Sequence, residues 1–268
     1  MRAKRSLGQN FLRDPAIISK IIASLGPIVG ETVIEIGPGR GALTEKLIDN
    51  AGRVVAIEFD RDMIAILKER FAGNPNFTLI NADALGFQFS SVVSPEDPAK
   101  LVANLPYNIS TPILQSLAEQ RQLFSCLVLM FQREVVDRIT APPGGKDRGF
   151  LSVIVEDAFE IQRLFNVPPD AFVPVPKVWS SVVRLIPKTP FDLDPVLFRR
   201  IISASFAQKR KTLLNNLKPV LLDPGSILES AGIDGRRRAE TLDLNEWRTL
   251  TRAIKDLTAE NESIIQGQ

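Results

Sequence analysis

The 268-residue sequence contains no histidine. That absence removes histidine general bases, histidine-centred triads and most zinc sites at once, and no metal site is expected. A single cysteine, Cys126, stands in the apolar run "SCLVLMF". No disulfide framework can form within the chain, and the thiol is expected to be buried. A reducing, cytoplasmic setting fits. No apolar run approaches the roughly 18 residues that a membrane span requires, so no membrane partner is expected.

What is present is basic and unevenly spread. The formal net charge is +2. Yet "MRAKRSLGQNFLR" carries four basic residues and no acid, and residues 199–219 carry six and no acid. "GRRRAE" adds Arg236, Arg237 and Arg238. One such block can be a solvated helix face. Three together favour a polyanion, and a phosphate backbone is the usual one. Lys209, Arg210 and Lys211, with the three arginines, are the candidate RNA contacts. The first 13 residues lack a clean amphipathic period, which argues against a targeting peptide.

From residue 30 to residue 132 strand and helix signals alternate. "TVIEIG", "RVVAIEF", "FTLINAD", "KLVANLP" and "CLVLMFQ" read as strands. "ALTEKLIDN", "RDMIAILKERF" and "TPILQSLAEQ" read as helices, the second with Asp60 as its N-cap. Alternation of this kind predicts an α/β fold, a mainly parallel sheet with helices on both faces. Beyond residue 150, "LSVIVEDAF" reads as a helix. "EIQRLFNV" and "SSVVRLIP" read as a closing antiparallel pair. The polar, proline-bearing stretch 188–195 reads as a linker between a domain at 1–187 and a small all-α domain at 196–257. The tail 258–268 is expected to fray.

Ligands of such sheets bind at the C-terminal strand ends. After the first strand, Gly37, Gly39 and Gly41 permit a tight turn and close approach of a ligand. Glu58 ends the second strand, where a carboxylate can accept both hydroxyls of a ribose. Asp83 ends the third, beside the place of an adenine, or else it caps the next segment. These features also fit a dinucleotide fingerprint, which alone is a weak signal.

The fourth strand end separates the readings. Asn104-Leu105-Pro106-Tyr107 has no evident use in a dehydrogenase. It suits methylation of an exocyclic adenine amine, whose lone pair is delocalised into the ring. The Asn104 side-chain oxygen and the Leu105 carbonyl can accept the two N–H groups and favour a pyramidal nitrogen. Pro106 fixes the backbone, and Tyr107 can stack on the base. S-adenosylmethionine is then the methyl donor, and neither a metal nor a strong base is needed.

"GQNFL", "EIGPGRGALT", "IEFDRD", "NADAL", "NLPYNIST", "FVPVPKV" and "AQKRKTLLNNL" occur in an order that resembles the KsgA (RsmA) family of small-subunit ribosomal RNA adenine N6,N6-dimethyltransferases. The likeness spans nearly the whole chain. It implies a Rossmann-like class I methyltransferase sheet followed by a small helical RNA-binding domain. Its substrate would be two adjacent adenosines in the hairpin near the 3′ end of 16S rRNA, within a small-subunit precursor, and the enzyme would act as a monomer. It implies that Asn10 and Leu12 lie near the methionine end of the donor and that Gly37 opens the glycine loop. Glu58 would hold the ribose and Asp83 the donor adenine, while Asn104 serves both donor and target. Tyr107 and Phe172 would sandwich the target base. From the residues alone, an aromatic at 172 is more often core than platform. Trp179 stands where the family often has a smaller or more polar residue. Residues 141–150, "APPGGKDRGF", are either a mobile loop beside the substrate or a plain connection. A related family that methylates large-subunit RNA and a non-catalytic assembly factor are the rival readings.

Overall fold

A computed structural model describes residues 9–106 and 109–266, with side chains to residue 257. By contacts the chain divides into two units, Met1–Asp137 with Ala158–Thr189, and Arg138–Asp157 with Pro190–Gln268.

The first unit is built on a seven-stranded sheet. Its strands are β2 (Thr32–Ile36), β3 (Arg53–Glu58), β4 (Phe77–Asn81), β5 (Ala99–Asn104), β6 (Phe124–Gln132), β7 (Phe159–Val167) and β9 (Ser180–Pro187). They lie in the order β4-β3-β2-β5-β6-β9-β7. The five from β4 to β6 are parallel, and β9 and β7 close the sheet antiparallel. The central strands are buried on both faces, so β2, β3 and β6 are almost continuous apolar runs. Edge strand β7 mixes exposed and buried residues along its length. The core joins Val33, Val54, Val102, Val128 and Val182 from the sheet to Ile21 and Leu47 from the helices. Cys126 is buried, and burial pushes its thiol up from its ordinary value.

The helices α2 (Ala42–Ile48), α3 (Arg61–Arg70) and α4 (Ser110–Glu119) fall where the apolar periodicity predicts them. Asp60 caps α3 by accepting from the Asp62 N–H at 3.0 Å. Helix α1 (Pro15–Ser24) is an addition to that reading. Its signal is the pair Asp14-Pro15. The Asp14 carboxylate accepts from the N–H groups of Ala16 and Ile17 at 2.8 and 3.1 Å, and Pro15 occupies the first turn. Two short strands, β1 (Phe11–Leu12) and β8 (Phe172–Val173), form a separate antiparallel ladder.

The second unit is helical. Helix α5 (Arg133–Ile139) spans the sequence boundary, and the unit contains α6 (Phe150–Ala158), α7 (Pro195–Ser205), α8 (Leu213–Leu217), α9 (Pro224–Ser230) and α10 (Leu244–Gln266). Asp194-Pro195 and Asp223-Pro224 start α7 and α9 with the same capping device as α1. Trp247 is fully buried and lies beside Phe206, their ring centroids 5.9 Å apart.

Contacts also decide how the segments around the second unit are grouped. The stretch 138–157, expected inside the 1–187 domain, groups with the helical unit. The reason is Arg148, which is 2 % exposed. Its guanidinium donates to Glu156 at 2.7 Å and to the carbonyls of Ala141 and Leu242 at 3.0 and 3.2 Å. The Gly144 N–H donates to the Glu240 carbonyl at 2.7 Å, so the 141–150 segment is tied down. The linker is also anchored at Phe191, whose ring lies under the guanidinium groups of Arg248 and Arg252 at 4.3 and 4.5 Å. Finally, α10 extends through residues 258–266. "TAENESIIQ" contains no proline or glycine to stop it.

Candidate active site

Because β2 to β5 run parallel, their C-terminal ends share one sheet edge. A cleft of about 250 Å³ opens there. Asn10, Leu12, Gly37, Gly39, Glu58, Asp83, Asn104, Leu105 and Pro106 all line it. Residues as far apart in sequence as Asn10 and Pro106 thus meet in one place.

The glycine loop follows β2. The Gly37 N–H donates to the Ile57 carbonyl at 2.9 Å, which ties the loop to β3. Gly39 has φ +57°, and a Cβ there would press on the Phe11 ring at 3.1 Å. Gly41 has φ +81°, and its Cβ would fall 2.6 Å from the Phe71 ring. Only glycine meets both demands, positive φ and close approach. Glu58 holds the loop from the next strand. One carboxylate oxygen accepts from the Gly39 N–H at 3.1 Å, and the other from Phe59 and Asp60 at 2.9 and 2.8 Å. Burial raises the Glu58 carboxyl above its ordinary range, and the three amide donors oppose that shift. A carboxylate has about four lone-pair directions, so it can still take a ligand hydroxyl. Asp83 is exposed and accepts from the Leu85 N–H at 3.0 Å.

The N-terminal segment runs along the cleft. Gln9 donates to Asp60 at 2.8 Å, and the Asn104 amide nitrogen donates to the Asn10 carbonyl at 3.2 Å. That bond fixes the Asn104 amide with its oxygen as the remaining acceptor. Among the described residues no donor reaches this oxygen. Leu105 buries its side chain, and its N–H donates to the Met130 carbonyl at 3.4 Å. Pro106 follows at the cleft. Tyr107 lies outside the described residues.

Phe172 departs from the expectation of a stacking platform. It is 1 % exposed and belongs to the core cluster with Leu12, Val167 and Ala171. Pairing of β8 with β1 sets Phe172 opposite Leu12 and closes the ring in. It offers no face to a base in this structure.

Among the cleft residues not singled out from the sequence are Glu35 and Phe59. Glu35 is 1 % exposed and accepts from the Thr44 hydroxyl at 2.6 Å. Burial pushes its carboxyl up to about 8, with the nearby Glu58 charge adding to the effect. An acid inside the apolar strand "TVIEI" was the available signal. Phe59 lines the cleft and is 61 % exposed, an apolar surface beside Glu58.

In the helical unit, Lys209, Arg210 and Lys211 are exposed on the turn between α7 and α8. The Lys209 ammonium donates to the Lys146 carbonyl at 2.8 Å. Arg236 is largely exposed and pairs with Asp234 at 3.1 Å, and Arg238 is exposed. Arg237 is a correction. Its guanidinium engages both oxygens of Glu246 and the Thr241 carbonyl, the last at 2.9 Å. That fork is already filled, so Arg237 ties α10 to the turn before it rather than facing phosphate.

A family model described as "Ribosomal RNA adenine dimethylase" matches residues 1–256. A "Ribosomal RNA small subunit methyltransferase A" of Hahella chejuensis is 43% identical over 265 residues, 98% of this chain and 96% of that protein. One of the same description from Geobacter sulfurreducens is 44% identical, over 95% and 96% of the two chains. Among solved structures, a dimethyladenosine transferase from Plasmodium falciparum superposes with a TM-score of 0.74 at 31% identity, over 90% of this chain and 95% of that one. The 23S rRNA methyltransferase ErmE superposes with a TM-score of 0.67 at 26% identity, over 92% and 100%. With these matches over nearly its full length, and with its strand-end residues gathered at one cleft, the chain belongs to the ribosomal RNA adenine dimethylase family.

Proposed function

We propose that this protein transfers methyl groups from S-adenosylmethionine to the N6 nitrogens of two adjacent adenosines near the 3′ end of 16S rRNA. It does so as a cytoplasmic monomer acting on a small-subunit precursor. The observation that carries the reading is Asn104. Its amide is fixed at the end of β5 by the Asn10 carbonyl at 3.2 Å, and its oxygen is left to accept at the cleft.

The residues present suit the donor. Glu58 lies at the cleft with a remaining acceptor position for a ribose hydroxyl, Asp83 with a carboxylate for an adenine amine, and Phe59 with an apolar face. The sulfonium donor supplies an electrophilic methyl carbon. The chain's own part is to bind, align and remove electron withdrawal from the target nitrogen. The Asn104 oxygen and the Leu105 carbonyl accept the two N–H groups of the adenine amine. Pyramidalisation would free the lone pair for in-line attack, with the S–CH3 bond breaking to leave the neutral thioether S-adenosylhomocysteine and the proton on the methylated nitrogen passing to solvent. After the first methylation one N–H remains, so one acceptor loses its partner and the base turns about its C6–N6 bond. Tyr107 would stack on the flipped base.

The test is methyl transfer to purified unmodified small subunits, with large subunits as the control, read by mass spectrometry of adenosine, monomethyladenosine and dimethyladenosine. Dimethyladenosine from small subunits alone is the expected result. Modification of large subunits instead would overturn the assignment.

A further inference from the structure

We propose that Trp179 is a stacking platform for an RNA base flanking the target adenosine. The inference rests on the RNA substrate proposed above and adds a recognition site to it. Trp179 immediately precedes β9, whose Ser180 pairs with Gln132 at the C-terminal end of β6. Asn104 pairs with Met130 on that same strand. Trp179 therefore stands at the sheet edge that carries the cleft. Two strand spacings across and about three residues along put it roughly 12–15 Å from Asn104. It lies beyond the target pocket yet within reach of a neighbouring nucleotide.

Its surroundings suit nucleic acid rather than a protein core. The indole is 49 % exposed, whereas the other tryptophan, Trp247, is fully buried. Its backbone is held, since its carbonyl accepts from the Arg133 N–H at 2.9 Å. The Arg133 side chain is 57 % exposed, and Lys177 is exposed two residues before the indole. Val175 and Val178 extend the apolar surface at 61 % and 42 % exposure. An exposed flat ring with Lys177 two residues before it and with Arg133, which pairs with Asp137 at 3.8 Å, joined to it through the backbone offers a base a stacking face and its phosphates nearby cations. Exposing so much apolar surface beside the site costs solubility and has no packing return within the described residues.

The chain holds two tryptophans, so its emission can report on this site. The probe is a short RNA hairpin carrying two adjacent adenosines in its loop. Its addition should quench the emission of the wild type and of Trp247→Phe, and leave that of Trp179→Phe unchanged. On unmodified small subunits, Trp179→Ala should raise KM about tenfold, with the effect on KM rather than kcat, and Trp179→Phe should recover most of the loss. Donor titration checks that each variant is folded. A Trp179→Ala enzyme with wild-type KM, or quenching that persists in Trp179→Phe, would overturn the platform while leaving the methyltransferase reading intact. Absence of transfer to small subunits by the wild type would overturn both.

Discussion

Asn104 concentrates the chemistry of the site in one amide. Its nitrogen is used by Asn10, so its oxygen has one orientation to offer. Asn104→Ala should fold and bind RNA, yet transfer methyl groups at least ~100-fold more slowly. The basis is one preorganised hydrogen bond that strengthens in the transition state, typically ~2.7–4 kcal/mol. Single-turnover rates of mono- and dimethylation measure it, and a wild-type rate would end the proposed mechanism. Phe172 gives the opposite contrast. A platform residue would lose rate when truncated, but this ring is buried. Phe172→Ala should therefore lower stability by ~3–5 kcal/mol, read as a shift of the urea midpoint. An unchanged midpoint would return Phe172 to the surface of the site. Glu35 supplies a pH effect. Its carboxyl is raised to about 8 from 4.5, so the folded state holds the proton more tightly than the unfolded chain. That stabilising contribution is complete below about pH 4.5 and fades as pH rises towards 8, by ~1.4 kcal/mol per unit. Glu35→Gln removes the titration, so its unfolding midpoint should vary less with pH than that of the wild type between pH 6 and 8.5. Parallel profiles would show that Glu35 does not titrate there.

At the scale of elements, the glycine loop and β3 form one device. Glu58 accepts three backbone N–H groups, one from the loop and two from Phe59 and Asp60 just before α3. Glu58→Ala removes a candidate ribose ligand and also the anchor of the loop. Donor affinity should fall strongly, and by more than in Asp83→Ala, because Asp83 binds only its own turn. Calorimetric titration of both variants decides, and equal affinities would put the ribose elsewhere. The N-terminal segment is part of the same device, since Gln9 reaches Asp60 and Phe11 packs on Gly39. Its residues therefore act through the loop as well as at the cleft.

For the whole molecule, the basic blocks predict salt-dependent binding. Neutralising Lys209, Arg210 and Lys211 together should reduce the slope of log affinity for small subunits against log salt by ~2 and leave donor binding intact. Arg237→Ala should leave that slope unchanged and lower the thermal midpoint, because it leaves Glu246 with only the Asp243 N–H and releases the Thr241 carbonyl. An unaltered slope in the triple variant would remove those residues from the RNA contacts. The main strands, their parallel arrangement and the strand-end positions of Gly37, Glu58, Asp83 and Asn104 were legible in the sequence, whereas the strand order was not. They depend on local periodicity, and parallel strands must end at a common edge. Helix α1 is not part of that reading, although Asp14-Pro15 carried a signal for it that periodicity passes over. What the sequence could not determine was which candidates remain available. Phe172 is closed in by a ladder to Leu12, a partner 160 positions away. Arg237 is claimed by Glu246, and Arg148 draws residues 138–157 into the helical unit through Leu242. Exposure and pairing are properties of contacts between distant segments. Residue type sets what a side chain can do, and only tertiary structure decides whether it is free to do it.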